Sequence, residues 1–174
     1  MQQGASQQGF TLIETIVYVG IISIFLVSIV QFTTSLVSAG EKARIQNEVQ
    51  QNARFAMERL RREIRTADDV NTGTSTFGSH PGILSLADDT PLDDPTIFDV
   101  SSGRLRIKEG AASALPLTTD KVNVTNFVVQ NRGVSNRTKN IQIFLTLAWA
   151  GSTSKPFDTS ISLQSSVVVR EEED

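Results

Sequence analysis

Apolar and polar positions divide the chain into three successive patterns. After a polar start, the stretch from Phe10 carries an almost unbroken apolar run: Ile16, Val17, Val19, Ile21, Ile22, Ile24, Phe25, Leu26, Val27, Ile29 and Val30. Residues 10–36, about 27 of them, reach about 40 Å as a helix rising about 1.5 Å per residue, more than the roughly 30 Å of a bilayer core. This predicts one membrane-spanning helix. From Ile45 the pattern thins to Ile45, Val49, Ala53, Ala56, Leu60, Ile64 and Ala67, the fours and threes of a helix with one narrow apolar stripe. Gly40 is the one soft spot between the two and no proline occurs before Pro81, so a single helix of about 58 residues, roughly 87 Å, is expected. Asp68, Asp69 and the turn signal Asn71-Thr72-Gly73 end it.

Beyond residue 80 the period falls to two. Strands are predicted over residues 82–86, 96–100, 104–108, 122–130, 140–149 and 159–170. Val122, Val124 and Val128 share one parity, Ile141, Ile143, Leu145 and Leu147 another, and Ile161, Leu163, Val167 and Val169 continue the alternation. One antiparallel sheet with a wet face results, and its dry face is the natural cover for the helix stripe, which gives an α+β fold. Trp149 and Phe144 are expected at the edge of that core, and Glu171, Glu172, Glu173 and Asp174 form a solvated tail that blunts the last strand. The domain reading is 1–9 leader, 10–40 membrane helix, 41–69 amphipathic continuation and 70–174 sheet domain.

Charge adds little to this outline. A net charge of −3 offers no global basic excess for nucleic acid, and the absence of cysteine removes disulfides, thiol nucleophiles and cysteine metal sites. Arg54, Arg59, Arg61, Arg62 and Arg65 make the second half of the helix locally basic, but they are interleaved with Glu58 and Glu63 and have Phe55 alone as an aromatic neighbour, so a solvated face or contacts to acidic loops are expected rather than nucleic-acid binding. Residues 68–100 hold seven aspartates and no lysine or arginine. Asp88, Asp89, Asp93 and Asp94 are the weak calcium candidates there; their spacing is not that of an EF-hand, and no cofactor is expected. Signals for an enzyme are poor. His80 sits in a loop without a second ligand or base, and Ser152 and Lys155 match a Ser-x-x-Lys spacing in a loop without its companion motifs.

The residues of most chemical interest head the apolar helix: Gly9-Phe10-Thr11-Leu12-Ile13-Glu14. Glu14 is the only side chain before Glu41 that is charged at neutral pH, and an acid inside a membrane segment is costly enough to imply a partner, here an amine. This string resembles the N-terminus of type IV prepilins and pseudopilins. The resemblance implies a pilin-like fold, cleavage by a prepilin peptidase between Gly9 and Phe10 on the cytoplasmic side, methylation of the new Phe10 amino group, and pairing of Glu14 with the amino terminus of a neighbouring subunit. A carboxylate there is already favoured by the positive end of the helix dipole.

The chain departs from the family pattern in its leader, which has no Lys or Arg, whereas Lys42 and Arg44 lie beyond the far end of the helix, against the positive-inside rule. The runs around Arg104-Leu105-Arg106, Leu115-Pro116-Leu117 and Ala53-Arg54-Phe55 resemble J-type minor pseudopilins and W-type minor pilins. That likeness implies a minor subunit in a secretion pseudopilus or a pilus, at or near its tip, with other subunits and an assembly platform as partners, and an inner-membrane protein whose C-terminal domain is extracytoplasmic. The alternative is a membrane-tethered extracytoplasmic module that binds DNA or a surface ligand.

Overall fold

A computed structural model describes residues 9–133, 139–151 and 158–169. One helix, α1 (Leu12–Thr66), precedes eight strands: β1 (Asp69–Val70), β2 (Leu84–Ala87), β3 (Thr96–Ser101), β4 (Arg104–Glu109), β5 (Leu115–Pro116), β6 (Val122–Asn131), β7 (Asn140–Trp149) and β8 (Ser160–Val168). Gly40 leaves α1 continuous, as expected. Its C-terminus comes at Thr66, earlier than the turn signal suggested, because Asp69 and Val70 pair with Ala87 and Leu86 instead of adding a last turn. The described chain divides after Ala43 into two units.

In the first unit the apolar side chains of α1 are all exposed, and its most apolar 18-residue window has a mean hydropathy of 2.4 with none of it buried. By length and composition it is able to cross a membrane. Its hydroxyls bond within the helix: Ser23 to the Val19 carbonyl at 2.7 Å, Ser28 to Ile24 at 2.9 Å, Thr33 to Ile29 at 2.9 Å and Ser35 to Gln31 at 2.9 Å. Polar groups satisfied inside the helix add little cost to its burial in lipid or against other helices.

In the second unit the predicted stripe is the core. Ile45, Val49, Ala53, Ala56, Leu60, Ile64 and Ala67 are buried, joined by Met57, and all but Ile45 belong to one cluster with Phe98, Leu105, Phe127, Ile143, Leu145 and their neighbours. The single sheet is corrected to two, both antiparallel meanders: β1-β2-β3-β4-β5 and β6-β7-β8. Among the described residues the far edge of β6 pairs with no strand of the first sheet, although β6 packs near β4. Its polar groups go to loops, with Val124 donating to the Gly103 carbonyl at 2.8 Å, and Gly78 and Gly82 donating to the Val129 and Phe127 carbonyls at 2.8 and 2.9 Å. A Cβ on Gly82 would stand 3.1 Å from the Phe127 carbonyl oxygen, which explains a glycine at this close approach.

The parity of β6 is also corrected. The register slips between Val124 and Asn126, so Val122 and Val124 face the core before the slip while Phe127 and Val129 do so after it, leaving Val128 half-buried on the other face. One extra residue in a strand turns every later side chain over. Phe144, paired with Val128, shares that outer face and is not at the core edge; Trp149 packs against the core as expected. Asn52, on the buried side of α1, donates to the Glu48 carbonyl at 2.9 Å and accepts from the Thr119 N–H at 2.9 Å, tying the helix to the turn before β6.

Candidate processing site at the helix N-terminus

Gly9, Phe10 and Thr11 precede α1 in non-helical conformation, and Gly9 and Phe10 are exposed. The Gly9–Phe10 peptide therefore lies outside the helical hydrogen-bond ladder, where an enzyme can reach it. Thr11 caps the helix. Its Oγ1 accepts from the Glu14 N–H at 3.3 Å, and its carbonyl accepts from the Thr15 N–H at 3.2 Å and the Thr15 hydroxyl at 3.3 Å.

Glu14 thus occupies the third helical position, half-buried among its helix neighbours, in the turn where the unpaired N–H groups favour a carboxylate. Its Oε1 accepts from the Tyr18 hydroxyl at 3.3 Å, and the Tyr18 ring meets the Phe10 ring edge to face with centroids 6.5 Å apart. Phe10, Glu14 and Tyr18 follow one another at four-residue spacing along one side of the helix. Thr11 and Tyr18 are the members of this site that sequence reasoning passed over, and both were legible: Thr-x-x-Glu is a capping-box spacing, and a tyrosine four residues after an acid sits one turn above it.

The other candidates fare differently. Among the described residues no group of three or more His, Asp or Glu side chains is arranged to hold a metal. Asp88 accepts from the Thr90 N–H at 3.0 Å and Asp94 from the Asp88 N–H at 3.3 Å, so these carboxylates cap their own turn. Asp68, beside the same loop, is held above its ordinary pKa by lost solvation, by the negative charge of Asp89 and by a hydrogen bond shared with Asp89. His80 does more than face solvent: its Nδ1 accepts from the Phe127 N–H at 2.9 Å, pinning its loop to β6. Ser152, Lys155 and the acidic 171–174 segment lie outside the described residues.

The arginines do not all behave as a solvated face. Arg59 bridges Glu63 at 3.2 Å and Glu109 at 2.6 Å. Desolvation raises the Glu63 pKa, with Arg59 opposing and Glu109 adding to the shift. Among the described residues Arg54, Arg61, Arg62 and Arg65 make no ion pair, and they line a groove between α1 and β8. Elsewhere Asp69 loses solvation, which would raise its pKa, but the Lys139 ammonium and the Val70 N–H outweigh this and hold it below the ordinary value.

The family model described as the prokaryotic N-terminal methylation motif matches residues 4–30, a span that contains this whole site. No curated protein and no solved structure matches the chain. With that motif at the head of a long apolar helix, and with an α+β, pilin-like architecture behind it, the chain is a type IV prepilin-like protein.

Proposed function

We propose that the chain is a minor pilin or pseudopilin subunit, cut between Gly9 and Phe10 by a prepilin peptidase, methylated on the Phe10 amino group and drawn from the membrane into a fibre. The observation that carries this reading is the position of the methylation motif: its cleavage point falls in exposed, non-helical residues and its acid in the first turn of an apolar helix. Cleavage would leave a new ammonium just ahead of α1, where the helix dipole disfavours it. Glu14 offsets that charge in a neighbouring subunit, and the Ile16 to Val30 surface exchanges lipid for other helices, with Gly20 and Ser23 permitting close approach.

The domain from Arg44 onward then stands outside the cytoplasmic membrane, held by the single span. A place at or near the fibre tip follows from the likeness to minor subunits. The test is the intact mass of the N-terminal fragment after co-expression with a prepilin peptidase. Loss of residues 1–9 and gain of one methyl on Phe10 is the expected result, and an uncut N-terminus refutes the reading. For the assembly step, Glu14→Gln is expected to be cut normally but to enter fibres poorly; unimpaired incorporation removes Glu14 from the mechanism.

A further inference from the structure

Strand β8 is nine residues long, Ser-Ile-Ser-Leu-Gln-Ser-Ser-Val-Val, with no charge, proline or glycine, and it ends its sheet. Trp149 donates to the Thr159 carbonyl at 2.9 Å and Val169 to the Lys139 carbonyl at 3.0 Å, which fixes the phase of the β7–β8 ladder. By the alternation of an antiparallel pair, residues 161, 163, 165 and 167 also bond β7, while the N–H and C=O groups of Ser160, Ser162, Gln164, Ser166 and Val168 point the other way. Among the described residues nothing pairs with them. Edge strands of this length are ordinarily blunted by a lysine, a proline or a bulge, and this one has none.

The core is correspondingly unfinished beside it. Val167 is buried, but Ile161 and Leu163, which face the same way, are only half-buried. Between that edge and α1 runs a groove of about 670 Å³, with Met57 and Leu163 at its floor and Arg54, Arg61 and Arg65 along its wall beside a single acid, Glu58. Arg54, Glu58, Arg61 and Arg65 recur at four, three and four residues and so share one helix face, and Arg62 lines the same groove from the adjacent face.

We propose that β8 is a docking edge for an extended acidic segment of a different subunit, which adds as a further strand and fills the groove. The strand supplies the missing backbone partners. A glutamate on its inward face lays its methylenes over Met57 and Leu163 and sets its carboxylate against Arg61 and Arg65. Charge decides the occupant. A second copy pairing through its own β8 would bring two arginine-lined walls together, and nucleic acid would leave the apolar floor and the strand edge unused. The identity of the segment as part of a neighbouring subunit rests on the fibre reading above; the docking edge itself does not.

The test uses the full chain in detergent micelles and a peptide of about nine residues, alternating valine and glutamate, matched to the length of β8. Amide hydrogen exchange is the readout. Protection is expected to appear at Ser162, Gln164 and Ser166, whose N–H groups are free, with little change at residues 161, 163 and 165. Affinity is expected to fall with added salt, to fall at least tenfold in Arg61→Glu/Arg65→Glu, and to be at least tenfold weaker for a valine–lysine peptide.

Gln164→Pro removes an outward N–H without touching the bonds to β7 and is expected to abolish protection. If that variant loses its far-ultraviolet dichroism, the arginine pair carries the test alone. The proposal is overturned by binding without protection at the three outward amides, by equal binding of the lysine peptide, or by the same protection arising from self-association without peptide. An oligothymidylate that binds the arginines in place of the acidic peptide overturns it equally. Peptidase processing reads out separately, so a normally cut chain that ignores the peptide defeats this inference and leaves the fibre reading standing.

Discussion

Replacing Asn52 by alanine removes the acceptor for the Thr119 N–H and the donor to the Glu48 carbonyl, both 2.9 Å contacts, from a position that is 9% exposed. The Glu48 carbonyl is also an α1 helix acceptor and loses little. Among the described residues the Thr119 N–H has no other protein partner, but Thr119 itself is exposed, so water can take up the donor and the loss is that of one hydrogen bond, about 0.5–1.5 kcal/mol. With about 130 residues in the unit that begins at Arg44, and an unfolding entropy of about 2.1 cal/mol/K per residue, the midpoint slope is about 0.27 kcal/mol/K. A loss of about 1 kcal/mol therefore lowers Tm by about 4 °C. The assay is thermal unfolding of the full chain in detergent, followed by fluorescence of its one tryptophan, Trp149, together with exchange of the Thr119 amide. A Tm within about 2 °C of the parent, with the Thr119 amide still protected, refutes the assignment of this bond as the tie between helix and sheet.

Leu60→Ala, at a fully buried stripe position among both sheets, is expected to cost about 2–5 kcal/mol, against under about 0.5 kcal/mol for Arg54→Ala on the exposed side of the same helix; denaturant midpoints at a common m-value decide it. Gly110→Ala and Gly103→Ala both place a side chain at positive φ, +50° and +72°. The first new Cβ would lie 2.1 Å from the Leu92 carbonyl oxygen, whereas the second would meet the movable tip of Asn123, so Gly110→Ala is expected to be the worse by at least about 1 kcal/mol, and equal Tm values contradict it. Because the folded-state pKa of Glu63 is raised, the folded chain holds that proton to higher pH than the unfolded chain does. Its contribution to stability therefore falls as pH rises from about 4.3 through the folded value, and Glu63→Gln flattens this part of the profile. Asp69 is depressed and has the opposite sign: its contribution with Lys139, a few tenths of a kcal/mol at this half-exposed site, is present above about pH 4 and lost below, and Asp69→Asn removes it.

A local period or a local string was enough to place the features that lie close together along the chain. The apolar run, the stripe from Ile45 to Ala67, the inward set of β7 and the Gly9 to Glu14 string all report on residues within one or two turns of each other, and each stands in the structure where its period placed it. The capping residue Thr11 was equally legible and differs only in having been read as part of a motif instead of as a helix start.

Features that depend on which edges meet emerge from the folded chain alone. A bulge at residue 125 leaves no mark in the pattern of Val122, Val124 and Val128, because a strand without a partner has no register to slip. The division into two sheets follows from Gly78, Gly82 and Gly103 taking the far edge of β6, a contest between distant backbone groups that alternation does not record. Asn52 looks like an exposed polar residue until Thr119 is brought to it from 67 positions away. The arginines of α1 read as a solvated face because only the packing of β8 beside them leaves a half-covered apolar floor, and with it an open strand edge, on that side of the helix.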